Sequence, residues 1–213
     1  MRVNPVNQAF VRFMLVSAAL VQAAIAFEPV PTITVLLYNY ASLTPGTIDI
    51  IEHEVDSIFL STGVGIDWIE VPALPLKANR NLAPAHSAGP SRIAIRLFSG
   101  FMTSRLKPRA QELGRALLAA NDEFGVVADV FADLTKRFCV GRESSHGLVL
   151  GVVVAHELGH LLLGAGAHSP GGIMQAGWHP REIDKALQGH LLFTHSQCRQ
   201  IREQVDARIV ASQ

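Results

Sequence analysis

Apolar and polar positions along this chain recur with two periods, one typical of strands and one of helices. Residues 32–40 form a run of β-branched and aromatic residues that predicts a buried strand. Thr44 and Pro45 then supply a helix N-cap and a proline at the first helical position. Apolar residues follow at helical spacing as far as Gly63. The first third of the chain is therefore predicted to form a strand followed by an amphipathic helix.

The middle of the chain returns to strand-like patterns. Residues 66–71 and 91–98 alternate between apolar and polar positions, and residues 125–132 are also strand-like. The proline-rich residues 72–90 between them predict an irregular surface loop. Residues 113–119 fit a short strand or a helical turn equally well, so the local sequence leaves their structure open.

Two helices are predicted in the last third of the chain. The first covers residues 146–163, and its middle is almost wholly apolar, as expected of a helix buried in the core. The second covers residues 194–209, with Thr194 or Ser196 as its cap. The segment from His179 to Glu182 also resembles a helix start.

The buried helix carries His156, Glu157 and His160, a pattern that predicts a metal site. Histidines four residues apart project from one face of a helix and can bind one zinc ion. Glu157 is placed to accept a proton from a water on that metal. Unpartnered polar groups are costly in an apolar interior, and a metal accounts for all three.

A catalytic zinc needs a third protein ligand, and the residues offer two candidates. His168 follows a Gly-rich turn that begins at Gly164, and Met174 comes soon after it in a second Gly-containing turn. The alternative is a carboxylate from a later helix, for which Glu182 is the candidate. We favour His168 because of the short spacing and the methionine turn, and we keep Glu182 open.

Residues 156–174 resemble the metzincin zinc peptidases, whose pattern is HExxHxxGxxH followed by a turn that contains methionine. The spacing here is HExxHxxxGxxxH, one residue longer before the glycine and one longer before the third histidine. The resemblance implies that His156, His160 and His168 bind Zn²⁺ and that Glu157 is the general base. It also implies that Met174 lies beneath the metal.

The resemblance further implies an α+β fold. This fold has a twisted, mostly parallel sheet with an antiparallel edge strand, a backing helix, an active-site helix and a C-terminal helix. Residues 113–133 resemble the stretch of matrix-metalloprotease-like enzymes that forms the substrate-lining edge strand and the strand after it. The expected function is that of a zinc-dependent metalloendopeptidase acting on a peptide or protein.

Two alternative functions stay open. One is a catalytically silent zinc-binding interaction module, against which the intact Glu157 argues, since binding alone needs no base. The other is a gluzincin-type peptidase with Glu182 as the third ligand.

The N-terminal residues predict export. Arg2 and Arg12 flank a polar start, and the apolar stretch from Phe13 to Ala26 that follows ends in the small-x-small pattern of signal-peptide cleavage. Cleavage there leaves a catalytic domain at residues 27–213, with 16 basic and 18 acidic residues, because both arginines are lost. The expected product is a secreted or periplasmic monomer without stable membrane insertion. No basic run points to nucleic acid.

Cys139 and Cys198 are the two cysteines of the chain. In an exported protein such a pair favours one disulfide, and neither residue has a metal-spaced partner.

Overall fold

A computed structural model describes residues 29–72, 89–109, 111–118, 124–164 and 166–213. The strands are β1 (Thr32–Asn39), β2 (Gly65–Val71), β3 (Arg92–Phe98), β4 (Gly114–Leu117) and β5 (Val127–Phe131). The helices are α1 (Pro45–Leu60), α2 (Phe101–Leu106), α3 (Ala132–Thr135), α4 (His146–Leu163), α5 (Pro180–Leu187) and α6 (His195–Ala211).

The five strands form one sheet in the order β2-β1-β3-β5-β4. The first four pair in parallel, and β4 runs antiparallel to β5 at the edge. The predicted α+β class with a mostly parallel sheet is therefore confirmed. Residues 113–119, whose local sequence was ambiguous, contain β4, because pairing with β5 decides their conformation.

Helices α1 and α4 cover one face of the sheet and form the main core with it. Two glycines one turn apart, Gly147 and Gly151, let these helices approach closely. A Cβ atom on Gly151 would lie 2.6 Å from the Cβ of Glu54, and one on Gly147 would lie 2.8 Å from Ile50 Cγ2. This close packing fixes the position of α4, the helix that carries the predicted metal ligands.

The segment Glu143–Leu163 is long and apolar enough to cross a membrane by length and composition alone. Of its most apolar window, 72% is buried inside the fold. The apolar composition is thus accounted for by its place in the core, between the sheet and the other helices.

Arg208 of α6 joins three parts of the chain from inside the core. Its side chain is 1% exposed, and its guanidinium donates hydrogen bonds to the carbonyl oxygens of Pro90, Gly125 and Leu161. The guanidinium also lies 5.0 Å from the centroid of the Phe124 ring. The lead-in to β3, the lead-in to β5 and the end of α4 are therefore held by one side chain.

We expect Arg208→Met to destabilise the protein by about 3–5 kcal/mol, because two buried carbonyls and one partly buried carbonyl would lose their donor. Urea unfolding measures this change. Arg199→Met replaces an exposed arginine of the same helix and is the matched control, with an expected change within about 0.5 kcal/mol. Equal stability of the two variants would contradict the role assigned to Arg208.

The expected disulfide is wrong, since Cys139 and Cys198 are both free thiols. Cys139 is buried in a small cluster with Val149 and Ile183, whereas Cys198 packs against the main core. The two residues belong to different apolar clusters, which the pattern of cysteines in the sequence could not reveal. The predicted signal peptide, residues 1–26, and residues 73–88 of the predicted loop lie outside the described residues.

Candidate metal centre

The structure brings His156, His160 and His168 together. The Nε2 atom of His160 lies 3.1 Å from Nε2 of His156 and 3.1 Å from Nε2 of His168. One ligand nitrogen from each ring lies within 4.8 Å of the others. Two of these residues share a face of α4, as the sequence predicts, and the third comes from the loop after that helix.

The separations fit one metal ion held by three imidazoles. Nitrogens bound tetrahedrally to zinc at about 2.0–2.1 Å lie about 3.3 Å apart, close to the observed 3.1 Å. Three nitrogen ligands would leave one position of a tetrahedral ion open.

A backbone carbonyl orients His156. The Nδ1 atom lies 2.7 Å from the carbonyl oxygen of Ile173, which can only accept a hydrogen bond. The proton of His156 therefore sits on Nδ1, and Nε2 presents its lone pair to the other histidines. Such a hydrogen bond on the far nitrogen is typical of metal-binding histidines.

His156 and His160 are neutral at physiological pH. Burial lowers the pKa of His156 and of His160 from 6.5 to about 4, and the neighbouring His168 lowers both as a smaller effect. The Ile173 carbonyl opposes the shift at His156. Neutral imidazole is the form that binds a metal, so no proton has to leave these two rings before an ion enters.

Glu157 is buried beside this cluster, with 5% of its surface exposed. Burial raises the pKa of its carboxyl group from 4.5 to about 8, and the backbone N–H of Ala116, which donates to it, opposes the shift. Ala116 lies in β4, so the edge strand of the sheet contacts the predicted general base.

Gly114 makes room for that carboxyl group. A Cβ atom on Gly114 would lie 2.6 Å from both Cγ and Oε1 of Glu157. Any larger residue would displace the Glu157 side chain or the strand. Gly114 and Ala116 are two positions apart in β4, so both face α4 from the same side of the strand.

Met174 packs against α4 at Gly159, the residue before His160. It is fully buried, and a Cβ atom on Gly159 would lie 2.5 Å from its sulfur. Gly159 is thus required by the close approach of two side chains, those of Met174 and Phe193. The residue before Met174 supplies the carbonyl that orients His156.

Trp178 contacts one histidine of the cluster. Its ring meets the ring of His156 edge-on, with centroids 5.4 Å apart. Its Nε1 is buried and has no hydrogen-bond partner among the described residues.

Glu182, the alternative third ligand, lies elsewhere. Its carboxylate accepts a hydrogen bond from the His179 N–H at 3.2 Å and caps α5, and it lies 3.9 Å from the Lys185 ammonium. Among the described His, Cys, Asp and Glu residues, the group able to hold a metal consists of three histidines and does not include Glu182.

The roles of several residues around the cluster were not predicted from the sequence. Ala116 and Ile173 act through backbone groups, which carry no side-chain signature. Gly114 and Trp178 act through contacts between distant elements. Gln197 alone had a local signal, because Thr194 and Gln197 have the spacing of a capping box, which predicts that the glutamine turns back toward the helix N-terminus.

The geometry thus supports a metal centre built from three histidines, beside a buried glutamate and under an edge strand. Neither the protein-family models nor the curated proteins include a match to this sequence.

Proposed function

We propose that this protein is a zinc-dependent metalloendopeptidase with a metzincin-like site, in which Glu157 is the general base. The observation that carries the proposal is the convergence of three imidazole Nε2 atoms with a buried glutamate one residue after the first of them. Two of the histidines are held neutral and one is held in the metal-binding tautomer, so the cluster is prepared for a cation before it binds.

Zinc, when bound, supplies a water of lowered pKa and a Lewis acid for the scissile carbonyl. The residues of the chain supply the remaining functions. Glu157 accepts a proton from the attacking water and returns it to the leaving amine. Its pKa of about 8 without metal suits a base that works near neutrality, since a nearby cation lowers the pKa.

The edge strand β4 supports a peptide as substrate. It pairs with β5 on one side, and no other described strand pairs with it. An extended peptide can add to such an edge through main-chain hydrogen bonds. The strand also contacts Glu157, so a peptide bound along β4 lies next to the proposed base.

We further propose that the enzyme acts outside the cytoplasm as a monomer on peptides or proteins and not on nucleic acid. The charged start and apolar stretch of residues 1–26 support export. The near balance of acidic and basic residues supports the absence of a nucleic-acid substrate.

The test of this function is zinc content together with hydrolysis of a peptide pool. We expect about one zinc per chain in the wild type and in Glu182→Ala, and a large loss of zinc in His168→Ala. Zinc retained in His168→Ala and lost in Glu182→Ala would show that the third ligand is Glu182 of α5 and not His168. Zinc bound without hydrolysis of any peptide would favour an interaction module.

Gly114→Ala tests the contact between β4 and the base. The added Cβ would lie 2.6 Å from the Glu157 carboxyl group, so we expect hydrolysis to fall by about 10–100-fold as that group is displaced, with zinc content unchanged. Peptide hydrolysis and zinc analysis of the purified variant measure both.

Gly46→Ala is the matched control, because a Cβ atom there meets nothing within 4 Å. Its hydrolysis should equal that of the wild type. Wild-type hydrolysis in Gly114→Ala would show that the position of Glu157 does not depend on this glycine.

A further inference from the structure

His168 is the most exposed of the three clustered histidines and the one that no helix carries. Helix α4 ends at Leu163, and the chain then passes through Gly164 and Gly166 with φ angles of +83° and +81°. Residues other than glycine rarely adopt such backbone angles. Because glycine loses more conformational freedom on folding than any other residue, contacts from outside this loop help to hold His168 in place.

Gln197 of α6 provides that restraint. Its side chain is buried, with 7% of the residue exposed. The Nε2 group donates to the carbonyl oxygen of Ala167 at 3.4 Å and to Oγ of Ser169 at 3.1 Å. These are the residues immediately before and after His168, so one amide group holds both sides of the proposed ligand.

The other end of the Gln197 amide is tied to its own helix. Its Oε1 accepts a hydrogen bond from the Thr194 N–H at 2.9 Å, and the Gln197 N–H donates to Thr194 Oγ1 at 3.3 Å. Because a backbone N–H can only donate, this contact settles which end of the amide is oxygen. The NH₂ group must then point at the loop.

The contact continues into the turn that contains Met174. Ser169 accepts from Gln197 and donates its own hydroxyl proton to the Gly171 carbonyl at 2.8 Å. The Ser169 N–H donates to the Met174 carbonyl at 2.9 Å. The turn that orients His156 and the loop that carries His168 are therefore joined into one hydrogen-bonded unit, anchored on α6.

We propose that Gln197 is a positioning residue that fixes His168 for metal binding. This inference rests on the proposed zinc site and adds which residue holds its third ligand in place. A loop ligand that is already held loses little conformational freedom when the metal binds, so the affinity is higher than for a free loop. Outer groups that orient metal ligands typically contribute 10–100-fold to metal affinity.

The chemistry of the capping box permits a clean test. Glutamate and glutamine serve equally at this position of the box, because both offer an oxygen to the N-cap N–H. Gln197→Glu therefore keeps the cap of α6. It replaces the NH₂ donor with a carboxylate oxygen, which cannot donate to Ala167 or Ser169.

The experiment is Zn²⁺ affinity by competition with a chromophoric chelator, measured on the full chain. We expect Gln197→Glu to bind zinc about 10–100-fold more weakly than the wild type. Its Co²⁺ derivative should also show a changed visible spectrum, since the third ligand is displaced. Ser169→Ala removes one acceptor of the Gln197 amide without changing α6, so we expect zinc affinity to fall several-fold. This variant tests the proposal if Gln197→Glu does not fold.

Thr194→Ala is the matched control. It removes the hydroxyl that caps α6 and leaves the contact between Gln197 and the loop, so the melting temperature should fall by about 2–4 °C with zinc affinity unchanged. Wild-type affinity in both Gln197→Glu and Ser169→Ala would overturn the role of Gln197 while leaving the zinc site intact. No zinc binding by the wild type would overturn the proposed function as well.

Discussion

His160→Ala is expected to abolish tight zinc binding. His160 is the central member of the histidine cluster, since its Nε2 lies 3.1 Å from the corresponding atoms of both other histidines. Loss of a direct ligand should exceed the 10–100-fold loss that follows removal of an outer group, so we expect affinity to fall by more than about 100-fold. Competition with a chelator measures the loss.

The same variant should lose the thermal stabilisation that zinc confers. At a free zinc concentration about 1,000-fold above the dissociation constant, a single site stabilises the folded state by about 4 kcal/mol. For a chain of this size that corresponds to an increase in melting temperature of about 8–16 °C. Wild-type protein should show this increase and His160→Ala should not.

His53→Ala is the control for this prediction, because His53 is an exposed histidine of α1 that belongs to no cluster of metal ligands among the described residues. It should bind zinc as the wild type does. Full zinc affinity in His160→Ala would contradict the three-histidine site.

Glu157→Gln is expected to separate metal binding from hydrolysis. Glutamine has nearly the shape of glutamate and can still accept the Ala116 N–H, but it cannot accept a proton from water near neutral pH. General bases contribute about 10²–10⁴-fold to rate, so we expect a fall of that size in the rate constant for peptide hydrolysis. Zinc content should stay at about one per chain.

The same substitution should stabilise the metal-free protein at high pH. The folded-state pKa of Glu157, about 8, lies above the ordinary value of 4.5. The wild type is therefore most stable, with respect to this group, below pH 4.5, and it loses stability as the pH rises toward 8. Glutamine has no such loss, so Glu157→Gln should gain about 4 kcal/mol at pH 8 and less than about 1 kcal/mol at pH 5.

Chemical unfolding of the chelator-treated proteins at both pH values measures this gain. Glu203→Gln, at an exposed position of α6, is the control and should change stability at neither pH. An equal effect of Glu157→Gln at pH 5 and pH 8 would contradict the burial of an ionisable Glu157. Undiminished hydrolysis by Glu157→Gln would contradict its role as base.

Much of the secondary structure follows from local sequence. The predicted helix at residues 146–163 matches α4, and the predicted strand at residues 32–40 matches β1 to within one residue. The N-caps at Thr44 and Thr194 are also observed. These features depend on side-chain periodicity and on hydrogen bonds within a few residues, which the order of residues specifies directly.

Other features have no local origin. The strand conformation of β4 requires β5 as its partner, and the four residues of β4 alone fit either alternative. The free state of Cys139 and Cys198 depends on which apolar cluster each residue joins. No spacing rule contains this information, because the contacts are made between elements far apart in the chain.

The sequence by itself determined that His156, Glu157 and His160 share one helix and that the two histidines share one face, since 3.6 residues per turn leaves no other arrangement. Only the tertiary structure decided which residue completes the cluster. His168 joins the cluster through a loop held by Gln197, whereas the Glu182 side chain caps α5. Helical periodicity acts within one element, whereas the third member of the cluster depends on how α4, α5 and α6 pack together.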